Sequence, residues 1–323
     1  MGISLARAAA VAALLVLAGC AAPPAALGPG AFRFAVMGDT PYSAAEEKAF
    51  GAMLARLDRE PIAFAIHVGD FKAGGNSPCT DALYRERKAD FERSRHPIVL
   101  TPGDNDWTDC RRKSNGAMDP IERLAKLREI FFATPVALGH GSLALRAQSQ
   151  CIAPVLPECG CAAHPENRLW TYDRVTFVTL DVPGSNDNVG YDARNDHEAL
   201  CREEANRQWL DRAVREVRSA NGLALVIAIQ ADPWATDKDV YRGLVSEIAD
   251  VGKQLGRPVL FVHGDTHTYR LDWPFHGADG TPIDNITRLE TYGSPFVGWI
   301  DVTVDPSDPR LFRIDPHLEA IVR

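Results

Sequence analysis

Short apolar runs alternate with amphipathic stretches along this chain. FRFAVM at 32–37, residues 62–68 ending in FAIHV, HPIVLTP at 96–102, LALVIAI at 223–229 and RPVLFVH at 257–263 are continuous apolar runs bounded by turn residues. That is the pattern of strands buried on both faces. Between them the spacing turns helical. Ser43 and Glu46 form a capping-box pair ahead of Phe50, Met53, Leu54 and Leu57, which predicts a helix over 44–59. Asp119-Pro120 followed by Glu122 opens another, with Ile121, Leu124, Leu127 and Phe131 on its apolar stripe. A long helix over 197–219 carries Trp209, Leu210, Val214 and Val217 and stops at Asn221-Gly222; a further one over 239–255 ends at Gly256 and Pro258. This succession predicts an α/β fold with helices outside the sheet. From 134 to 168 the periodicity dissolves into Pro, Gly, Cys and His, which reads as a surface insertion.

The N-terminus stands apart. Arg7 precedes an apolar stretch from Ala8 to Ala18, shorter than the ~20 residues that span a bilayer. The following Leu17-Ala18-Gly19-Cys20 resembles a bacterial lipoprotein signal, which implies removal of 1–19, a lipid on Cys20 and a tether at 20–30. Residues 31–323 are then the folded domain, anchored in the cell envelope and facing the periplasm. Ala21 after the cysteine leans towards the outer membrane. Formal charge is −8 for the whole chain, and no basic stripe interleaved with aromatics occurs, so nucleic acid is not an expected partner.

Beyond Cys20, six cysteines remain at 79, 110, 151, 159, 161 and 201. An even number in an exported chain predicts three disulfides. Cys79 with Cys110 is the attractive pair, because both follow motif-bearing strands closely. The rival reading, a zinc site from Cys151, Cys159, Cys161 and His164, matches no common ligand spacing.

Four apolar runs end in Gly-Asp: Gly38-Asp39, Gly69-Asp70, Gly103-Asp104 and Gly264-Asp265. Each delivers a carboxylate to the C-terminal edge of a strand, where α/β folds place their sites. LALVIAI leads similarly into Gln230-Ala231-Asp232, and His267 follows Asp265 by two residues. Carboxylates brought to ~4 Å repel by ~4 kcal/mol per pair at an effective dielectric near 20, and cations are the usual remedy.

In this order the blocks resemble the calcineurin-like metallophosphoesterases, which include the purple acid phosphatases. The resemblance covers about 31–303 and implies a four-layer α/β/β/α sandwich around two metal ions. It implies that Asp39 and His267 hold the first ion, that Asp70 bridges, and that Asp104, Asp232 and Asp265 hold the second. A hydroxide on the metal would attack a small phosphoester in line. The chain departs from the family by being richer in aspartate. Pro41, Asp104, Asn105, Asp232 and Asp265 stand where the family has His, Asn, His, His and His. Five aspartates leave such a centre net negative and favour Mn²⁺, Mg²⁺ or Ca²⁺ over Zn²⁺. A trivalent iron in the first position would ease the imbalance.

Asn105 occupies the place of the family's proton donor yet carries no transferable proton. Tyr42 and His263 are the substitutes to consider; His67, inside an apolar strand, reads better as structural. Lys72, Arg111 and Arg112 are candidates to clamp a phosphoryl group, and Trp107 and Trp234 to line the substrate mouth. Asp106 reads as orienting a neighbour. The alternative function is a catalytically silent lipoprotein of the same fold, binding metal such as calcium.

Overall fold

The computed structural model describes residues 27–149, 156–160, 162–235 and 239–322. The signal, Cys20, Cys151 and Cys161 lie outside the described residues. One sheet has the order β12 (Phe312–Ile321), β11 (Phe296–Val304), β1 (Phe32–Met37), β2 (Ala65–His67), β3 (Ile98–Leu100). Its strands β1, β2 and β3 run parallel. The other has the order β4 (Arg146–Gln148), β5 (His164–Tyr172), β6 (Val175–Thr179), β7 (Ala224–Ala228), β8 (Val259–His263), β10 (Ile286–Glu290), β9 (Arg270–Asp272). Here β6, β7, β8 and β10 are parallel.

Side-chain alternation explains why the strand runs are apolar throughout. On β1, Phe34 and Val36 face the other sheet, packing with Phe64, Ile66, Phe177, Val226 and Leu260. Ala35 and Met37 face outward, against Phe50, Met53 and Leu54 of α1 (Ala44–Leu57) and Leu127 and Phe131 of α3 (Pro120–Phe131). A period of two with helices on one side and a sheet on the other leaves no polar face. The second sheet repeats this. Val178, Ile227 and Phe261 pack on Trp209, Leu210 and Val214 of α5 (Ala193–Ser219) and on Ile248 of α6 (Arg242–Leu255). The fold is therefore mixed α/β, two large sheets face to face with helices outside, consistent with the expected four-layer sandwich.

The expected N-caps form, but the Glu46 carboxylate of the capping-box pair accepts from Tyr42 N and Ser294 Oγ, both at 2.8 Å. Ser43 Oγ accepts from Glu46 N, and Asp119 Oδ1 from Ile121 N and Glu122 N. The long helix begins at Ala193, four residues before the expected start, because Asp192 Oδ1 accepts from Arg194 N and Asn195 N. The helix α2 (Asp81–Phe91), capped by Thr80, was not anticipated; its charged sequence buries little beyond Tyr84, Arg87 and Phe91.

The surface insertion at 134–168 needs correction. Its end is the start of β5, which pairs along β6 and is buried at Glu166, Asn167 and Arg168. Polar residues satisfied inside the protein hid the strand: Glu166 pairs with Arg128, and Asn167 Nδ2 donates to Gln148 Oε1 and Asn206 Oδ1. The rival zinc site also falls away among the described residues. Cys159 is joined to Cys201, and His164 Nδ1 faces Arg128 and Glu166. Cys79 is joined to Cys110. Among the described residues no helix is long and apolar enough to cross a membrane.

Candidate metal centre

The parallel strands of both sheets end on one rim. Just past them the chain turns sharply, with Asp39 at φ 53°, Asp70 at φ 57°, Asp265 at φ 82° and His267 at φ 62°. Aspartate tolerates this left-handed region better than most residues, at a cost of ~1–3 kcal/mol. Backbone bonds across the rim hold the turns. Asp39 N donates to Gly69 O at 3.0 Å, Ser294 N to Asp39 O at 2.8 Å, and Gly264 N to Gln230 O at 3.0 Å. Glycine precedes the carboxylates for want of space: a Cβ on Gly103 would collide with Asp70 Oδ1, and one on Gly264 with Asp39 Oδ2.

Asp39, Asp70, Asp104 and Asp265 consequently converge. Gln230 Nε2 donates to Asp70 Oδ2 at 3.3 Å, Asp104 Oδ1 at 3.2 Å and Asp265 Oδ1 at 3.2 Å. Asp265 N reaches both oxygens of Asp39, at 3.1 and 3.2 Å. Ser185 Oγ links Asp104 Oδ2 (2.6 Å) to Asp109 Oδ1 (2.9 Å). His267 Nδ1 is held by Ser294 O at 2.7 Å, which leaves Nε2 facing Asp39 Oδ1 at 4.0 Å. The Tyr42 hydroxyl lies 3.1 Å from Asp70 Oδ2 and 3.3 Å from His267 Nε2, and accepts from Asn105 Nδ2 at 2.9 Å.

No lysine or arginine pairs with Asp39, Asp70, Asp104 or Asp265 among the described residues. Burial, with the neighbouring carboxylates adding to it, raises Asp39 and Asp70 well above the usual carboxylate range. Asp265 is pushed up to about 7 by burial and then by Asp104. Among the described residues the acidic and histidine side chains whose ligand atoms all lie within 4.8 Å of one another are Asp232, His263 and Glu290. The four converging aspartates and His267 are more widely spread, and their carboxylate oxygens with one imidazole suit hard divalent ions, which would displace the protons held here.

Asp106 is not a ligand. Its carboxylate accepts from Asp70 N (2.8 Å), Phe71 N (3.0 Å) and Gly103 N (2.9 Å), so it fixes the turns that present Asp70 and Asp104. The Cys79–Cys110 bond closes the same loop, and Tyr84 donates to Asp106 O at 2.5 Å.

Several expected site residues stand elsewhere. Asp232 turns away from the cluster: its oxygens meet Arg270 at 3.2 Å and Arg288 at 3.7 Å, and only its N–H reaches Asp265 Oδ2, at 3.1 Å. His263 leaves with it. Its Nδ1 lies 2.9 Å from Gly264 O, and its unpartnered Nε2 belongs to a compact group with Asp232 and Glu290. Burial lowers its pKa to about 4. Lys72 is 1 % exposed and spends its ammonium on Ala73 O (2.8 Å) and Asn105 O (2.7 Å), so it is not presented to a substrate. Trp107 is fully buried in the core beneath the Arg202 guanidinium. Trp234 packs edge-on to Phe261 and Phe275 under Arg288, on the side of Asp232 rather than beside the four converging aspartates. Arg111 lies over Tyr191 and donates to Thr108 O at 2.5 Å. Arg112, half exposed, pairs with Asp109 at 2.7 Å, one hydroxyl away from Asp104. His67 is structural: Gly69 N donates to its Nδ1 at 3.2 Å, and its Nε2 faces Thr40 O at 3.3 Å.

Gln230 was missed in the sequence. It ends the same apolar run as Asp232 but two residues earlier, and a search for acids passes over a neutral amide. The position past β7 that faces Asp104 and Asp265 is Gln230.

No family model matches the chain. No curated protein matches it either. Among solved structures it is similar to TT1561 of Thermus thermophilus, with 8 % identity and a TM-score of 0.43 over 90 % of this chain and 99 % of that one. It is also similar to Vacuolar Protein Sorting 29 from Cryptosporidium parvum, with 10 % identity and a TM-score of 0.26 over 89 % of this chain and 97 % of that one. At these scores the likeness carries no argument about chemistry.

Proposed function

We propose that this chain is a metal-dependent hydrolase of phosphoric esters. The observation that carries the reading is the convergence of Asp39, Asp70, Asp104 and Asp265 without a counter-cation, beside an imidazole whose Nε2 is aimed at them. Asp39, Asp70 and His267 are the residues to hold an ion, with Asp104 and Asp265 adjoining. When bound, a divalent ion supplies Lewis-acid charge for the phosphoryl group and acidifies water.

The chain's own groups complete the site. Tyr42 is partly exposed, and burial together with Asp70 raises its pKa well above the phenol range, so it keeps its proton. It is placed to donate a hydrogen bond to a leaving oxygen, steered by Asn105 Nδ2. Arg112 offers exposed positive charge near Asp104 for a phosphoryl oxygen. The test is turnover of generic phosphomonoesters and phosphodiesters with Mn²⁺, Mg²⁺ or Ca²⁺ added. Inertness with every ion, while metal is bound, would sink it.

One observation favours the second reading, a silent metal-binding protein: Asn105 carries no transferable proton and His263 faces away from the cluster. The same proposal places the chain in the bacterial cell envelope, held by lipid on Cys20 and facing the periplasm. Cys20→Ser should release it from membranes, and unchanged partitioning would refute the anchor.

A further inference from the structure

We infer that the cluster of Asp39, Asp70, Asp104, Asp265 and His267 admits no more than one divalent ion, because the side-chain amide of Gln230 occupies the place a second ion requires. The inference rests on the proposed metal-binding reading. Three acidic oxygens from three different strand ends, Asp70 Oδ2, Asp104 Oδ1 and Asp265 Oδ1, converge on one point at 3.2–3.3 Å. That point is the Gln230 nitrogen.

An amide can in principle turn to offer its oxygen instead. Here it is locked. Gly184 N donates to Gln230 Oε1 at 2.5 Å, and turning the amide would set its NH₂ against that N–H. Gly184 itself cannot give way. Tyr241 fixes its loop by donating to Pro183 O at 2.8 Å and accepting from Asp187 N at 3.1 Å, and a Cβ on Gly184 would run into Asp265 Oδ1 and the Asp104 carboxyl. With Gln230 fully buried, the group facing the three carboxylates is a hydrogen-bond donor, which cannot ligate a cation.

The other end of the cluster is different. His267 Nε2 and Asp39 Oδ1 stand 4.0 Å apart, about the sum of two bonds to a small divalent ion. Beside His267 Nε2, at 3.3 Å, stands the Tyr42 hydroxyl, an oxygen on a partly exposed side chain that can swing aside or itself ligate, while Asp39 Oδ1 accepts from Asp265 N at 3.1 Å.

Manganese loading of the full chain followed by elemental analysis and electron paramagnetic resonance tests this. The expected result is one Mn²⁺ per chain with the spectrum of an isolated ion. Gln230→Ala and Gln230→His should each raise the count to two and produce an exchange-coupled pair. Two ions in the unaltered protein would overturn the inference while leaving the metal-binding reading intact. No ion at all would remove that reading and the inference with it. One ion in both variants would also overturn it, since Gln230 would not then be what excludes the second.

Discussion

Two acidic groups lie side by side on the rim, and they are neutralised in opposite ways. Asp39, Asp70, Asp104 and Asp265 share one amide and no cation. Asp232 and Glu290, a residue or two further along the same sheet edge, are paired: Arg270 bridges both at 3.2 and 2.8 Å, and Arg288 adds a second guanidinium stacked on Trp234. Asp39, Asp70 and Asp104 are buried like Asp232 and Glu290, Asp265 is only partly exposed, and an imidazole stands beside each group. A carboxylate already matched by arginine has little to offer a metal, whereas one left unmatched must hold a proton or capture an ion. Residue type does not distinguish the two groups; the guanidinium supply does.

The comparison can be broken most directly at Arg288. Arg288→Met removes one of the two guanidiniums that face Asp232 and also frees Asp272, so urea unfolding should show a loss of about 1–3 kcal/mol. A neutral outcome would mean that the paired group is not held by its arginines. In the other group, Asp70→Asn should lower phosphoester turnover by about 100-fold or more and make the melting temperature indifferent to chelator. The unaltered protein should gain ~2.7 kcal/mol from metal at a hundredfold excess over Kd.

Asp265→Asn sharpens the contrast through its sign. Removing an uncompensated buried charge should stabilise the metal-free protein by about 1 kcal/mol, where the same kind of change at Asp232 should destabilise it. Equal losses at both positions would erase the distinction.

The smallest expected effect is a slope with pH. Asp39, Asp70 and Asp265 titrate above the ordinary carboxylate range, the last at about 7, and burial raises Asp106 and Glu290 to about 7 as well, so the folded chain binds more protons there than the unfolded one. Stability of the chelated protein should therefore fall as pH rises from 6.5 to 8, by under ~1.4 kcal/mol per pH unit for each proton released. Below 6.5, His67 and His263, both lowered to about 4 by burial, act in the opposite direction. Asp265→Asn should flatten the upper limb, and an unchanged slope would assign it to other groups.

Much of the architecture was legible because strand and helix patterns are local. The runs ending in Gly-Asp, the Ser43 and Asp119 caps and the alternation of elements all follow from short-range sterics and burial. β5 was not legible, since its inward polar residues are satisfied by partners as distant as Asn206 and Arg128. The site divided in the same way. Asp39, Asp70, Asp104 and Asp265 were found because a strand end followed by Gly-Asp announces itself. Asp232 stands apart from the other four aspartates, and Gln230 was overlooked, because only the packing of β7 between β6 and β8 decides which residue past the strand turns towards them.

By itself, then, the sequence determined that acids sit at the ends of buried strands, as local periodicity and turn chemistry require. The tertiary structure alone decided which acids meet, which receive an arginine and that an amide stands among the rest. Charge compensation is settled across three-dimensional distances of a few ångströms between residues as far apart as 39 and 265, and no spacing along the chain encodes it.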